Sequence, residues 1–188
     1  MEYEFLTEGL KKVEGHLLPT DNTVKVFEEI YSIVQPKSIF EIGFNAGHSA
    51  FMSLEMLPEV KYRSVDICRH SYTIPNGKLL TEKYGGARFA LQNVDSKQVN
   101  PASLVGYDLI FVDGDHSIKG ITSDLTLCND AKVPYILVDD YHGKWFQNII
   151  DLVDHFLLKE EFPYEAVDVY TYDSRDGDNS AILLRRTK

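Results

Sequence analysis

The stretch SIFEIGFNAGHSAFMSLEML, residues Ser38–Leu57, determines the fold class of this 188-residue chain. It begins with the apolar, β-rich run Ser38–Ile42 and ends with Ser49–Leu57, which has helical spacing and stops before Pro58. Glycines bound the turn between them, Gly43–Gly47, with the spacing G-x-x-x-G. A strand that turns into a helix in this way is the repeating unit of parallel α/β sheets. The glycines leave two interpretations open: a loop that binds a ligand, or an ordinary tight turn.

The same alternation of strand and helix continues along the chain. Strands are predicted over Val60–Asp66, Ala87–Leu91, Tyr107–Val112 and Tyr135–Val138, and helices over Val24–Val34, Ile74–Tyr84, Ser117–Leu127 and Lys144–Leu158. These strands are apolar without alternation, which predicts a parallel sheet covered by helices on both faces. The tail differs, because Tyr164–Tyr172 and Ala181–Arg185 are joined by a turn-rich loop and predict an antiparallel hairpin.

Composition and charge narrow the class of protein. The net charge is −10 and no cluster of Lys or Arg occurs, which argues against nucleic acid as a partner. No apolar run reaches the roughly 18 residues of a membrane span, and the acidic N-terminus is unlike a signal peptide. We therefore expect a cytoplasmic protein with one domain over residues 1–188, of which 1–19 form an N-terminal extension. Cys68 and Cys128 are expected to be reduced thiols rather than a disulfide.

In open α/β sheets the ligand lies beyond the carboxyl ends of the strands, so the residues there are candidates for a site. Glu41 is a carboxylate near the end of a buried strand and needs a partner, for which a cationic ligand is one candidate. Asp66 follows the glycine turn by about twenty residues, where an acid typically accepts hydrogen bonds from both ribose hydroxyls. Its alternative is a role in a loop or a helix cap. The segment Gln92–Ser96 fits an adenine edge, or equally a polar turn.

Taken together, FEIGFNAGHSA, Asp66, YDLIFVDGDHS, YILVDDY and the terminal hairpin resemble the class I S-adenosylmethionine-dependent methyltransferases. Within that class, residues 20–187 are similar to the metal-dependent O-methyltransferases, which include the catechol and macrocin (sugar) enzymes. The resemblance implies a Rossmann-like, doubly wound sheet of seven strands in the order 3-2-1-4-5-7-6, with strand seven antiparallel. It also implies S-adenosylmethionine as cofactor, bound by Glu41, Gly43, Phe44, Asn45, Gly47, Ser49, Asp66, Asp95, Ser96 and Asp113.

Three carboxylates end two strands that this sheet order makes neighbours. Asp113 follows the fourth strand, and Asp139 and Asp140 follow the fifth, about 4.8 Å away. Like charges so close are unfavourable unless a cation holds them, and oxygen ligands suit Mg²⁺, with Mn²⁺ or Ca²⁺ as alternatives. In the family that this chain resembles, residues at these three positions bind Mg²⁺, which in turn binds two substrate oxygens. The other interpretation is a pair of solvated acidic loops.

His116, three residues beyond Asp113, is the predicted base, because a neutral imidazole can take the proton of the acceptor hydroxyl. Alternatively it is only the start of a helix. His142 is a rival base or a residue of the acceptor pocket. Six further residues are expected either to line this pocket or to belong to the core: Tyr72, Thr73, Ile74, Tyr141, Trp145 and Phe146.

These features predict an S-adenosylmethionine-dependent, Mg²⁺-assisted O-methyltransferase. Its acceptor is expected to be a hydroxyl of a sugar, a polyketide or a small phenol, with no nucleic-acid or membrane partner. A homodimer that completes the pocket is left open. The alternatives are a metal-independent N- or O-methyltransferase of the same fold, and a non-catalytic nucleotide-binding or assembly protein. The glycine spacing disfavours an NAD-linked dehydrogenase.

Overall fold

The computed structural model describes residues 3–10, 13, 17–142 and 146–187, and within them it contains a seven-stranded sheet. The strands are β1 (Ser38–Ile42), β2 (Lys61–Asp66), β3 (Phe89–Asn93), β4 (Leu109–Val112), β5 (Tyr135–Val138), β6 (Tyr164–Ser174) and β7 (Gly177–Arg186). The helices are α1 (Asp21–Val34), α2 (His48–Met56), α3 (Thr73–Tyr84), α4 (Ile118–Asp130) and α5 (Gln147–Leu157). The sheet order is β3-β2-β1-β4-β5-β7-β6, with β7 antiparallel to both neighbours. The predicted order and fold class are therefore confirmed.

The two faces of the sheet carry separate apolar layers. One layer packs α1, α2 and α3 on the sheet through residues such as Phe27, Phe51 and Leu80. The other packs α4 and α5 through residues such as Ile121 and Val153. The central strands β1, β4 and β5 are buried on both sides, which explains why their sequences are mostly apolar rather than alternating.

The parallel register brings the carboxyl ends of the central strands to one level. Ile42 of β1 pairs with Val112 of β4, and Val112 pairs with Val138 of β5. The loops that follow these strands therefore leave the same edge of the sheet side by side. Because β7 is antiparallel to β5, with Val138 opposite Ile182, the amino-terminal end of β7 reaches this edge as well.

Most helices begin and end within a few residues of the predicted limits, for local reasons. The hydroxyl of Thr20 accepts a hydrogen bond from the backbone N–H of Thr23 and caps α1, and Gln35 ends that helix in a left-handed conformation. Ser117 likewise caps α4 by accepting from the N–H of Gly120. The predicted helix Lys144–Leu158 is described only from Phe146 onward, where α5 begins one residue later.

The hairpin differs from its prediction. The predicted loop between Tyr172 and Ala181 is largely paired strand, and only Arg175 and Asp176 form the turn. Polar residues misled the prediction, because turn-forming types continue for several residues into both strands. The longer ladder places Tyr172 opposite Asn179, close to the carboxyl end of β5.

Described residues of the predicted N-terminal extension pack onto the fold. Leu6 is buried, and its backbone carbonyl accepts a hydrogen bond from Nδ2 of Asn76, which also donates to the carbonyl of Ala46 in the glycine turn. Leu17 forms a bridge to Ser174. Within the described ranges, no helix has the length and apolar character needed to cross a lipid bilayer. The two cysteines are free, in agreement with the predicted thiols.

Candidate active site

A cavity of about 1010 Å³ lies at the carboxyl ends of the parallel strands. Its walls are the loops after β1 to β5 and the turn of the β6–β7 hairpin. The predicted site residues that line it are Gly43, Phe44, Asn45, Gly47, Ser49, Asp66, Asp95, Ser96, Asp113, His116, Asp139, Asp140 and His142. The topology thus brings together loops that are more than one hundred residues apart in sequence.

The glycine turn is shaped by two close contacts. Gly43 has φ +96°, and a Cβ there would lie 1.9 Å from the backbone oxygen of Asp113. Gly47 has φ +88°, and a Cβ there would lie 2.4 Å from the ring of Phe44. Only glycine combines a positive φ with such close approach. Both glycines are therefore needed for the turn that connects β1 to α2 and packs against the end of β4.

Asp66 holds this turn in place. Its Oδ2 accepts hydrogen bonds of 2.9 Å from the N–H groups of both Phe44 and Asn45, and its Oδ1 accepts one of 2.6 Å from the N–H of Cys68. A carboxylate offers about four acceptor positions. Three are therefore used by the backbone, which leaves room for a further donor, and the predicted contact with the ribose hydroxyls stays a prediction.

Glu41 does not reach the cavity. Its side chain is fully buried and accepts hydrogen bonds from three hydroxyls, those of Ser49, Tyr62 (2.9 Å) and Ser64 (2.6 Å). Burial raises the pKa of this carboxyl to about 7, in spite of the three hydrogen bonds, which lower it. The partners that the sequence required are internal hydroxyls, so the interpretation of Glu41 as a cofactor ligand is replaced by a structural one.

The segment after β3 is a polar turn that also borders the cavity. Asp95 accepts a hydrogen bond from the N–H of Lys97 and begins a 3₁₀ turn, while Gln92 and Asn93 are exposed outside the cavity wall. The hydroxyl of Ser96 donates to Oδ1 of Asp124 at 2.7 Å. Both interpretations of this segment therefore stay compatible with the geometry.

Asp124, in α4, was missed by the sequence interpretation. It is fully buried, and burial raises its pKa to about 6 in spite of the hydrogen bond from Ser96. Its position was detectable, because Ile121, Asp124, Leu125 and Cys128 fall at the spacing of one helical face. An acid on an otherwise apolar face needs a buried partner, and here that partner is a residue of the cavity wall.

The loops after β4 and β5 meet at a compact cluster of three side chains: Asp113, His116 and Asp140. Nε2 of His116 lies 3.0 Å from Oδ2 of Asp140 and 3.5 Å from Oδ1 of Asp113. One ligand atom from each residue falls within 4.8 Å of the others. Among the described residues, none makes a well-aligned hydrogen bond to this Nε2, which contacts the two carboxylates as an ion pair.

Asp139, the third predicted metal ligand, lies outside this cluster. Its Oδ1 accepts hydrogen bonds from the hydroxyl of Tyr172, from Nδ2 of Asn179 (3.2 Å) and from the N–H of Asp140 (2.8 Å). Burial raises its pKa well above the ordinary value, and the charges of Asp113 and Asp140 raise it further. The predicted metal set Asp113, Asp139 and Asp140 stays a prediction, and the compact cluster of the structure contains His116 in place of Asp139. The hairpin residues engage Asp139, whereas Asp140 leaves β5 with φ +55° and its carboxylate lies beside His116.

The ring of His116 is not a free base in this arrangement. Burial lowers its pKa, but its interactions with Asp113 and Asp140 more than reverse this and raise the pKa to about 10. Asp113 has a raised pKa because of burial and the charge of Asp140, with His116 opposing. Without a cation, the imidazole is thus protonated near neutral pH and balances part of the acidic charge.

The predicted acceptor-pocket residues separate into two groups. Phe146 lines the cavity and packs edge-on against His116 and His142, with ring centres 4.7 and 5.6 Å away. Tyr141 instead donates its hydroxyl to Asp154, and Tyr72 donates to Oδ1 of Asn45 from a small apolar cluster. Thr73 and Ile74 do not border the cavity, and Trp145 lies outside the described residues.

The turn of the β6–β7 hairpin is a cavity wall that the sequence interpretation missed. Ser174, Arg175, Asp176, Asp178 and Asn179 line the cavity. The signal was present in the predicted topology, because an antiparallel seventh strand starts at the edge where the fifth strand ends. The guanidinium of Arg175 also donates to the backbone oxygen of Val13 and ties this wall to the N-terminal segment.

Comparison with known proteins gives the family. The sequence model of a family described as a methyltransferase domain matches residues 40–141, more than half of the chain. The chain belongs to this family. The prediction of an enzyme of the class I S-adenosylmethionine-dependent methyltransferases is thereby confirmed at the level of family and fold. No match was found among the curated proteins.

Solved structures share this fold at low sequence identity. A candidate O-methyltransferase from Klebsiella pneumoniae has a TM-score of 0.67 at 16% identity, over 90% of this chain and 81% of its own. TomG, an O-methyltransferase from Streptomyces achromogenes solved with SAM, has a TM-score of 0.65 at 15% identity, over 92% and 82%. The SAH-bound Podospora anserina methyltransferase PaMTH1 has a TM-score of 0.64 at 19% identity, over 89% and 78%.

Proposed function

We propose that this methyltransferase transfers the methyl group of S-adenosylmethionine to a hydroxyl of a small acceptor, with the help of a bound divalent cation. The observation that carries the proposal is the cluster of Asp113, His116 and Asp140, which shares one cavity with the glycine turn and Asp66. A cation site beside a nucleotide-binding loop is suited to hold an oxygen acceptor next to the cofactor.

The cofactor half of the cavity consists of the turn Gly43–Gly47, Ser49, Asp66, Asp95, Ser96 and the backbone beside Asp113. The glycines allow the chain to pass close to a ligand, and the free acceptor position of Asp66 suits one ribose hydroxyl. Asp95 and Ser96 line the same cavity, which supports the proposal that they contact the adenine edge. Glu41 is left out of the proposed set because hydroxyl groups of the protein surround it.

The donor set of the cluster fits a divalent cation. Carboxylate oxygens are common ligands of divalent cations, and one oxygen from each of the two carboxylates lies within 4.8 Å of the other. Asp113 and Asp140 would hold the ion. When bound, the cation lowers the pKa of a coordinated hydroxyl and stabilises the oxygen anion as the proton leaves.

The chain's own residues would supply the remaining steps of the reaction. Bound S-adenosylmethionine would supply the methyl group to the acceptor oxygen and would leave as S-adenosylhomocysteine. An imidazole beside the carboxylates, of His116 or His142, would take the hydroxyl proton. His142 lines the cavity, with Nε2 3.9 Å from Oδ1 of Asp140. The acceptors that fit this chemistry are a sugar, a polyketide or a small phenol, as the sequence predicts.

One observation favours a second candidate, a methyltransferase that needs no cation. The imidazolium of His116 lies between Asp113 and Asp140 and already offsets part of their charge. In such an enzyme the acidic loops would shape the pocket, and an acceptor nitrogen would serve as well as an oxygen.

A chelator titration of methyl transfer separates the two candidates. Turnover is measured with S-adenosylmethionine and a panel of phenolic, sugar and amine acceptors, in buffer with EDTA and after addition of a divalent cation. The proposal predicts that Asp113→Asn lowers cation-dependent turnover by about a hundredfold or more. The exposed Asp130 at the end of α4 gives the matched control, Asp130→Asn, which should be unaffected. Full turnover in EDTA would reject the cation.

A further inference from the structure

His116 lies inside the acidic cluster rather than beside it. We infer that His116 is the third protein ligand of the cation, together with Asp113 and Asp140, and that this nitrogen makes the site select a first-row transition ion over Mg²⁺. The inference rests on the proposed function, which includes a bound cation, and it replaces Mg²⁺ by a transition ion as that cation. It also removes His116 from the role of general base.

The first support is the spacing of the ligand atoms. Donors about 2.1 Å from an ion lie about 3.0 Å apart when adjacent in an octahedron and about 3.4 Å apart in a tetrahedron. The distances from Nε2 of His116 are 3.0 Å to Asp140 and 3.5 Å to Asp113. Both agree with a shared ion. A base would instead present its nitrogen to the acceptor, whereas this nitrogen faces the two carboxylates.

The second support is the fixed position of the imidazole. The edge of the Phe146 ring contacts it with centres 4.7 Å apart, and Nδ2 of Asn148 donates a 2.8 Å hydrogen bond to the backbone oxygen of His116. The start of α5 therefore holds both the ring and the backbone of this residue. A ligand held in this way is ordered before the ion binds, which favours affinity.

The third support is the engagement of Asp139 elsewhere. Three donors, from Tyr172, Asn179 and the N–H of Asp140, converge on its Oδ1. Asp140 then leaves β5 in a left-handed conformation that aims its carboxylate at His116. The hairpin thus removes one oxygen ligand from the predicted set, and the imidazole takes its place.

A ligand set of one nitrogen and two oxygens prefers different metal ions from a set of three carboxylates. Mg²⁺ prefers oxygen ligands, whereas imidazole suits Mn²⁺, Fe²⁺, Co²⁺ and Zn²⁺ with increasing affinity toward the later metals. His142, with Nε2 3.9 Å from Asp140, is then the neighbouring imidazole of the cavity that is left to take the acceptor proton.

Calorimetric titration of the metal-free native chain with CoCl₂ and with MgCl₂ tests the inference without any methyl acceptor. We expect one Co²⁺ per chain, bound about tenfold or more tightly than Mg²⁺. His116→Asn replaces the nitrogen by an amide oxygen, so Co²⁺ affinity should fall about tenfold to a hundredfold while Mg²⁺ affinity changes less. The exposed histidine of α5 provides the control His155→Asn, for which both affinities should equal those of the native chain.

Two results would overturn the inference: equal affinities for Co²⁺ and Mg²⁺ in the native chain, or an unchanged preference in His116→Asn. The native comparison needs no variant, so misfolding of His116→Asn cannot hide the answer. Binding of S-adenosylmethionine is titrated separately. Cation selectivity without methyl transfer would reject the proposed function alone, and methyl transfer with S-adenosylmethionine but no selectivity would reject this inference alone.

Discussion

The carboxyl ends of β1 and β2 differ from those of β4 and β5 in how their acidic side chains are paired. Glu41 and Asp66 each accept three hydrogen bonds from protein donors. Asp113 and Asp140 instead face an imidazole nitrogen that has no hydrogen bond within the described part of the chain. The donors around the first pair of acids, at the cofactor edge, all come from the protein, whereas the second pair, at the acidic edge, is where we propose that a cation binds. The comparison therefore asks whether protein groups alone balance the carboxylates at each edge.

The largest effect on stability is expected for Gly43→Ala, because Gly43 lies where the two edges are in contact. A Cβ at this position would clash with the backbone oxygen of Asp113, which cannot move away as a flexible side chain could. The φ of +96° is also strained for alanine. The free energy of unfolding should fall by about 3–5 kcal/mol. Urea unfolding followed by circular dichroism measures it. Gly86→Ala is the control, because a Cβ there meets nothing within 4 Å. Equal losses in the two variants would show that the edges are not in close contact.

The next effect concerns the pH dependence of stability at the cofactor edge. Glu41 has an ordinary pKa of 4.5 when unfolded and about 7 when folded, because it is buried. The folded chain then binds this proton more tightly, so the contribution of Glu41 to stability is fully present below pH 4.5 and is lost as pH rises from about 4.5 to about 7. The loss amounts to about 3 kcal/mol.

Glu41→Gln should remove that decline. Urea unfolding of the variant and of the native chain at pH 5 and pH 8 gives the difference, with the exposed Glu59→Gln as the control. If Glu41→Gln kept the full pH dependence of the native chain, the buried carboxyl would be paired differently from the description above.

A smaller effect is expected at the acidic edge, for Tyr172→Phe. This change removes a hydroxyl that donates to buried Asp139, and the free energy of unfolding should fall by about 1–2 kcal/mol. Tyr170→Phe is the matched control in the same strand. Its buried hydroxyl has no hydrogen-bond partner among the described residues, so removing it should change stability by less than about 0.5 kcal/mol. A loss as large in Tyr170→Phe would contradict the proposed hold on Asp139.

The sequence predicted the fold well because local signals decide it. The apolar runs of β1 and β5, Ser38–Ile42 and Tyr135–Val138, coincide with the observed strands. Long-range contacts decide the surroundings of the buried acidic side chains, which the sequence did not predict. Three hydroxyls, one from α2 and two from β2, surround Glu41, and no local pattern shows this.

The pair Asp139 and Asp140 illustrates the same limit within the site. The sequence places both carboxylates after β5, but their directions depend on Tyr172 and Asn179, which lie more than thirty residues later. The predicted loop over the hairpin tip concealed that contact, since it left Asn179 unpaired. The sequence thus named the acidic residues of this edge, while the contacts that separate Asp139 from Asp140 came from the structure.

Anomalous X-ray diffraction from a crystal grown with S-adenosylhomocysteine and CoCl₂, measured at the cobalt edge, tests the central claim most directly. The account predicts one strong peak about 2.1 Å from Asp113, His116 and Asp140, with the S-adenosylhomocysteine beside Gly43–Gly47 and Asp66 in the same cavity. A peak coordinated by Asp139 in place of His116 would contradict the ligand assignment. Absence of cobalt from the cavity, with S-adenosylhomocysteine bound, would contradict the role of a cation altogether.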